Sequence, residues 1–189
     1  LHEFIRVFWK EVEGEDFLTN WHPEALCEHL EAVSEGKIRK LVINGPPRSS
    51  KSRPVSVFWQ PWEWISKPGK TWLTAGNTQR LAVMFNYASR QIIQCEKYQR
   101  YWGERFKLAE DDNLKTQFSN NKGGKRLVVG CQTRFIGAGG NRKIVDDPHM
   151  PGDSPEMMEE TGNWFFKTWS TRTDGIKTAI SIVNMQRLS

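Results

Sequence analysis

Apolar positions recur at two periods along this chain, and the way the two alternate predicts an α/β domain. Asn20-Trp21-His22-Pro23-Glu24 reads as a helix start: proline suits a first helical turn and Glu24 suits the positive end of the helix dipole. Leu26, Leu30 and Val33 then recur at helical spacing, and Gly36 closes the run. Residues 38–44, centred on Leu41-Val42-Ile43, read as a buried strand that Gly45-Pro46-Pro47 breaks. A helix is predicted from Ser50 or Lys51, with Pro54 in its first turn, where a missing N–H costs little. Pro68-Gly69 marks a turn, and residues 71–75 form a second strand closed by Gly76-Asn77. From residue 78 to about 101 comes the clearest helical signal, with Leu81, Met84, Phe85, Ala88, Ile92 and Cys95 as one apolar stripe.

Farther along, residues 111–124 are polar and turn-rich. Asn120-Asn121-Lys122-Gly123-Gly124 is predicted as a hairpin tip between strands at 116–119 and 125–130, with Lys122, Lys125 and Arg126 as solvated charges on it. Ile136-Gly137-Ala138-Gly139-Gly140 reads as a flexible loop, residues 143–147 as a short strand ending in two acids, residues 157–169 as a helix and residues 176–183 as a last strand. Strands alternating with helices imply a mainly parallel central sheet in one domain over residues 1–189.

Composition narrows the function classes. Nine Trp and ten Phe provide bulk for a core, and a charged fraction of 26% argues against disorder. The net charge of +5 is compatible with a polyanionic partner such as nucleic acid. Cys27, Cys95 and Cys131 are far apart with no CxxC pair, which argues against a zinc site or a disulfide framework and fits a reducing cytoplasm. No apolar run reaches the ~18 residues of a membrane span, and residues 1–10 lack the layout of a secretion signal.

The chemistry concentrates at Gly45-Pro46-Pro47-Arg48-Ser49-Ser50-Lys51-Ser52. Between a strand and a helix, such a loop turns backbone N–H groups onto phosphates, helped by the helix N-terminus. Lys51 is placed to reach the β- and γ-phosphates of ATP, and the Ser52 hydroxyl to bind Mg²⁺. Gly45 and Lys51-Ser52 have the spacing of GxxxxGK[ST], but Ser50 stands where the second glycine is usual. ATP hydrolysis also needs an acid for Mg²⁺ and one for the attacking water. Asp146, directly after Ile144-Val145, is the candidate for the metal, and Asp147 for the water, with Glu156, Glu159 and Glu160 as other carboxylates able to contribute. These residues alone leave open a helicase or other translocase, and a nucleotide-binding DNA module in which Ser50 has ended hydrolysis.

Taken in order, the segments resemble the ATPase domain of the large terminase subunit, the DNA-packaging motor of tailed bacteriophages. The resemblance rests on residues 41–48 followed by Lys51-Ser52; Phe118-Ser119 through Gly123-Gly124 and Arg126; Gly137-Ala138-Gly139-Gly140; Val145-Asp146-Asp147-Pro148; Trp164-Phe165; and Asn184-Met185-Gln186-Arg187. It runs from about Trp21 to the last residue, and in that family a Pro-Pro-Arg loop without the second glycine is common. The resemblance implies an ASCE/RecA-like P-loop NTPase fold of three layers, α/β/α. It also implies roles: Arg48 as a cis arginine on the phosphates, Arg142 in the loop before the acids as a finger reaching across a subunit boundary, Gln186 as reporter of nucleotide state, and Trp21 or His22 near the adenine. The implied cofactors are ATP and Mg²⁺. The implied partners are double-stranded viral DNA, the portal protein, the small terminase subunit and further copies in a ring, with a monomer in isolation. The implied setting is the host cytoplasm, at the procapsid portal and without a membrane. The family's RNase H-like nuclease has no counterpart expected within these residues, so no DNA cutting is expected of them.

Overall fold

The computed structural model describes residues 1–18, 20–133, 137–175 and 178–186. Seven strands among them form one sheet: β1 (Lys40–Asn44), β2 (Thr71–Gly76), β3 (Leu108–Asn113), β4 (Gln117–Asn120), β5 (Lys125–Gly130), β6 (Arg142–Asp146) and β7 (Ile180–Met185). Their spatial order is β1-β7-β6-β2-β5-β4-β3. The first five in that order are parallel, and β4 and β3 run antiparallel at the far edge. Parallel neighbours need long crossovers, which is where the helices go.

Side chains alternate between the two faces of each strand, and the core divides accordingly. Trp72, Ile144, Ile180 and Ile182 point into a large aromatic layer. That layer is built with α1 (His2–Glu13), α2 (Trp21–Ser34), α3 (Trp59–Ser66), α4 (Gln79–Gln94) and α5 (Glu96–Trp102). Their strand neighbours Leu73, Ala75 and Val145 point the other way, onto Trp164 and Trp169 of α6 (Pro155–Trp164) and the π-wound turn Phe165–Trp169 that continues it. The result is a three-layer P-loop-type fold with unequal outer layers. Side-chain caps start several helices: Asn20 accepts from Trp21 N, Thr78 from Leu81 N and Ser154 from Met157 N. Each such cap typically stabilises by ~1 kcal/mol.

Several sequence expectations change. Among the described residues β1 is an edge strand paired only with β7, and Val42 is 68% exposed. The long helix expected from residue 78 is broken at Cys95, whose ψ of 149° ends α4 and whose sulfur then caps Tyr98 N at the start of α5. Of its stripe, Phe85, Ala88 and Ile92 are buried, but Met84 is 51% exposed while Asn86 and Ser89 are buried. The expected hairpin is present as β4–β5, yet Arg126 is fully buried beneath α4 and not on the tip. α1 and β3 have no counterpart among the sequence expectations; β3 carries Glu110, Asp111 and Asp112, charges that an edge strand tolerates. Ile136 and the start of the last strand at Ile176, like Arg187, lie outside the described residues.

Candidate active site

All five parallel strands end on the same edge of the sheet, and the chemistry-bearing residues collect there, as ligands do at the carboxyl ends of open α/β sheets. The loop after β1 stays attached to the sheet through Gly45 N donating to Met185 O (3.2 Å). It then turns through two left-handed residues, Arg48 (φ 61°) and Ser50 (φ 56°). Ser50 is the position where the common pattern has glycine, and its backbone takes the conformation glycine adopts without strain. Ser50→Gly is therefore expected to stabilise the nucleotide-free protein by a few tenths to about 1 kcal/mol, less than the full relief because glycine is also freer when unfolded. Chemical denaturation measures this, and a clear loss of stability would show that the serine side chain holds the loop. The loop is braced from within by Ser49 Oγ donating to Pro46 O (2.8 Å), and from α2 by His22 Nε2, 3.1 Å from Ser49 O.

The helix entered from this loop and the ends of β6 and β7 meet in one polar cluster. Asp146 is fully buried. Its Oδ1 accepts from Ser52 Oγ (2.9 Å) and Asn184 Nδ2 (2.7 Å), and its Oδ2 from Ser56 Oγ (2.5 Å). Burial raises the Asp146 pKa to about 6; the Ser56, Ser52 and Asn184 hydrogen bonds work against that rise, and the neighbouring Asp147 adds to it. Asp147 leaves the strand with φ 46°, its N–H bonded to Asn184 O (2.7 Å). Its carboxylate pairs with Lys51 Nζ (3.4 Å) and accepts from Gln186 N (3.1 Å). Lys51, Ser52, Asp146, Asp147 and Gln186 are thus brought together. Ser56 and Asn184 join them without having been singled out for this cluster. Ser56 had a signal, since it lies one helical turn beyond Ser52 on the same face. Asn184 had only its place in the Asn184-Met185-Gln186-Arg187 segment of the resemblance; its part in this cluster depends on β7 lying between β1 and β6.

Other candidates fall elsewhere. Arg142 is not in a loop and cannot reach across a boundary: it is the first residue of β6, and its side chain, 4% exposed, forms a multiply bonded ion pair with Glu63 of α3. It lies four residues before Asp146 on the same strand, ~13 Å away at the usual strand rise. Arg142→Ala is expected to destabilise the fold by about 3–5 kcal/mol by leaving Glu63 buried and unpaired. Wild-type resistance to guanidinium in that variant would contradict this. Arg48 is exposed on the loop, and the Asp147 carboxylate is taken by Lys51. Glu156, Glu159 and Glu160 are exposed on α6, against the opposite face of the sheet from Ser52 and Ser56. Gly139 and Gly140 lie at the start of β6, the end remote from Asp146.

A cavity of about 430 Å³ opens beside the loop, walled by Trp21, His22, Leu26, Gly45, Ser49 and Lys51. Trp21 is 76% exposed, so its indole face is free to stack on a flat ring. Asp147 and Gln186 line a second cleft of about 350 Å³, so the Lys51–Asp147 pair links a residue of each cavity. The donors suit a hard cation. Ser52 Oγ and Asp146 are oxygen ligands, and Asn184 Oδ1 is a buried acceptor with no hydrogen-bond partner among the described residues. No cluster of three or more His, Cys, Asp or Glu able to hold a metal occurs among the described residues. The set therefore fits Mg²⁺ bound by one or two side chains together with phosphate oxygens, and not a cation held by protein alone.

No protein-family model matches this sequence, and no curated protein sequence matches it. Among solved structures, it is similar to the large terminase of bacteriophage HK97 with a TM-score of 0.57 at 7% identity, over 97% of this chain and 37% of that one. It also matches the large terminase of a thermophilic bacteriophage in complex with ATP-gamma-S, with a TM-score of 0.46 at 14% identity, over 82% of this chain and 36% of that one. The first likeness is one of fold: this chain has the architecture of part of a phage large terminase, and spans little more than a third of that protein's length. No described helix is long and apolar enough to cross a membrane.

Proposed function

We propose that this chain is the ATP-hydrolysing motor domain of a large terminase, driving double-stranded viral DNA into a procapsid. The observation that carries the reading is the meeting of Ser52, Asp146 and Asn184 beside the Lys51–Asp147 pair, at the mouth of a left-handed phosphate loop on this fold. The amides of residues 48–52 and the Lys51 ammonium hold the β- and γ-phosphates. Trp21 and His22 receive the adenine. Ser52 and Asp146 hold Mg²⁺, which when bound neutralises charge on the phosphate oxygens. Lys51 exchanges its Asp147 partner for phosphate oxygens, which releases the Asp147 carboxylate to orient water for in-line attack. Asp147 also accepts the Gln186 N–H, so a change at the γ-phosphate is felt directly by the segment after β7. With Arg142 sequestered by Glu63, Arg48 is the arginine placed to meet transition-state charge.

The partners of this reading are DNA, the portal protein, the small terminase subunit and further copies of the chain in a ring, with a monomer in isolation, working in the host cytoplasm. Phosphate release measured with and without double-stranded DNA tests it. Magnesium-dependent turnover is expected, and Asp147→Asn is expected to lower it by about 10²-fold or more as orientation of the water is lost. Nucleotide binding without turnover under either condition would replace the motor by a non-hydrolysing DNA-binding module; full turnover in Asp147→Asn would shift the water-orienting role to another carboxylate.

A further inference from the structure

The helix that follows the phosphate loop is not α-wound where it passes the acid. Pro54–Phe58 is π-wound, with Trp59 N donating to Pro54 O, and α winding resumes at Trp59. In α winding the carbonyl of Val57 would accept from the N–H of residue 61, and in π winding the carbonyl of Ser56 would do so. Residue 61 is proline and offers no N–H to either. Both residues are buried, and both carbonyls are served from outside the helix. Ser89 Oγ of α4 lies 2.8 Å from Val57 O, with Phe85 O as its other acceptor at 3.1 Å. Arg126 of β5 donates from Nη2 to Ser56 O (2.5 Å) and from Nη1 to Ser89 Oγ (2.9 Å) and Gln60 Oε1 (3.3 Å).

A fully buried guanidinium is a costly way to serve one carbonyl, and among the described residues no carboxylate is bonded to it. Its link to negative charge runs through Ser56, whose carbonyl takes the Arg126 proton while its hydroxyl donates to Asp146 Oδ2. We propose that Arg126 is a positioning residue for the metal site. By clamping the π-wound turn through Ser56 O, it keeps the Ser56 and Ser52 hydroxyls on Asp146, so that the carboxylate and Ser52 Oγ are presented together to the divalent cation. The inference rests on the reading above that Asp146 and Ser52 receive that cation. A planar fork is needed because three acceptors from two helices are held at once; a lysine ammonium on a flexible stem does not span Ser56 O, Ser89 Oγ and Gln60 Oε1 in fixed geometry.

The test is equilibrium binding of Mn²⁺ in the presence of ADP, followed through the EPR signal of free Mn²⁺, for wild type, Arg126→Lys, Ser56→Ala and the double variant, each with its thermal unfolding curve. Each single variant is expected to bind Mn²⁺ about tenfold more weakly, the range seen when outer partners of metal ligands are removed. The double variant is expected to fall well short of the hundredfold loss of two independent effects, because both changes act through the same turn. Arg126→Lys that melts lower but binds Mn²⁺ as wild type does, or a double variant weakened about a hundredfold as independent effects would give, overturns the inference. Wild-type protein that binds Mn²⁺ with ADP yet hydrolyses no ATP removes the motor reading and leaves this one standing. Wild-type protein that binds no Mn²⁺ overturns both.

Discussion

Lys51→Ala is expected to lower ATP turnover by at least about 10²–10³-fold, the scale of losing one preorganised charge-stabilising group. Lys51 is 8% exposed at the base of the loop, and Asp147 lies 3.4 Å from its ammonium. No other side-chain cation contacts that carboxylate among the described residues, so no neighbour substitutes for the lost charge. The fold should survive. The Asp147 side chain is 27% exposed and can be hydrated once Lys51 is gone, unlike Glu63 in the Arg142 pair. Phosphate release under saturating Mg²⁺ and ATP, together with guanidinium denaturation, checks both halves. Turnover within tenfold of wild type would remove the phosphate-loop assignment itself.

Asp146→Asn is expected to abolish turnover while stabilising the nucleotide-free protein. Burial holds the Asp146 pKa at about 6, above its ordinary value of 3.8, so the folded state binds this proton more tightly than the unfolded chain does. The stability linked to that proton is fully present below pH 3.8 and is lost as pH rises through about 6. At pH 8 the cost of the buried anion is on the order of 3 kcal/mol at most, since each pKa unit corresponds to about 1.4 kcal/mol. Asparagine fits as a neutral replacement: its carbonyl can still accept from Ser52 and Asn184, and its amide can donate to the Ser56 hydroxyl, which is able to turn and accept. Denaturation at pH 3.5 and pH 8 without divalent cation should show the two proteins converging at the lower pH and the variant ahead at the higher one. A variant less stable at pH 8 would mean that the pocket favours the anion, and the metal-side role of Asp146 would need another physical basis.

Local pattern carried much of this. The strand before Gly45, the Lys51-Ser52 spacing and the acids after Val145 are short-range features, and the structure gathers them within hydrogen-bonding range of one another. Buried charge did not yield to the same reading. Arg142 and Arg126 look like surface residues in sequence, because what makes them interior is a partner far along the chain: Glu63 for one, and Ser56 with Gln60 and Ser89 for the other. The edge placement of β1 and the charged strand β3 were hidden for a related reason, since strand order is settled by tertiary packing and not by the run of residues within a strand. The effect of Pro61 on the carbonyls of Ser56 and Val57 could be counted from sequence, but not the residues that answer it.

The position of β7 has a consequence for the order in which this protein matures. The phosphate-loop strand and the acid strand are not neighbours; the last strand of the described chain is wedged between them, and its Asn184 touches both Ser52 and Asp146. During synthesis the loop and both acids leave the ribosome well before that wedge does. Until residues 180–185 have inserted, the two halves of the site have no shared backbone to hold them in register. Under the proposed function, a nascent chain is expected to hold no nucleotide until that strand has inserted, however much of its sheet has formed.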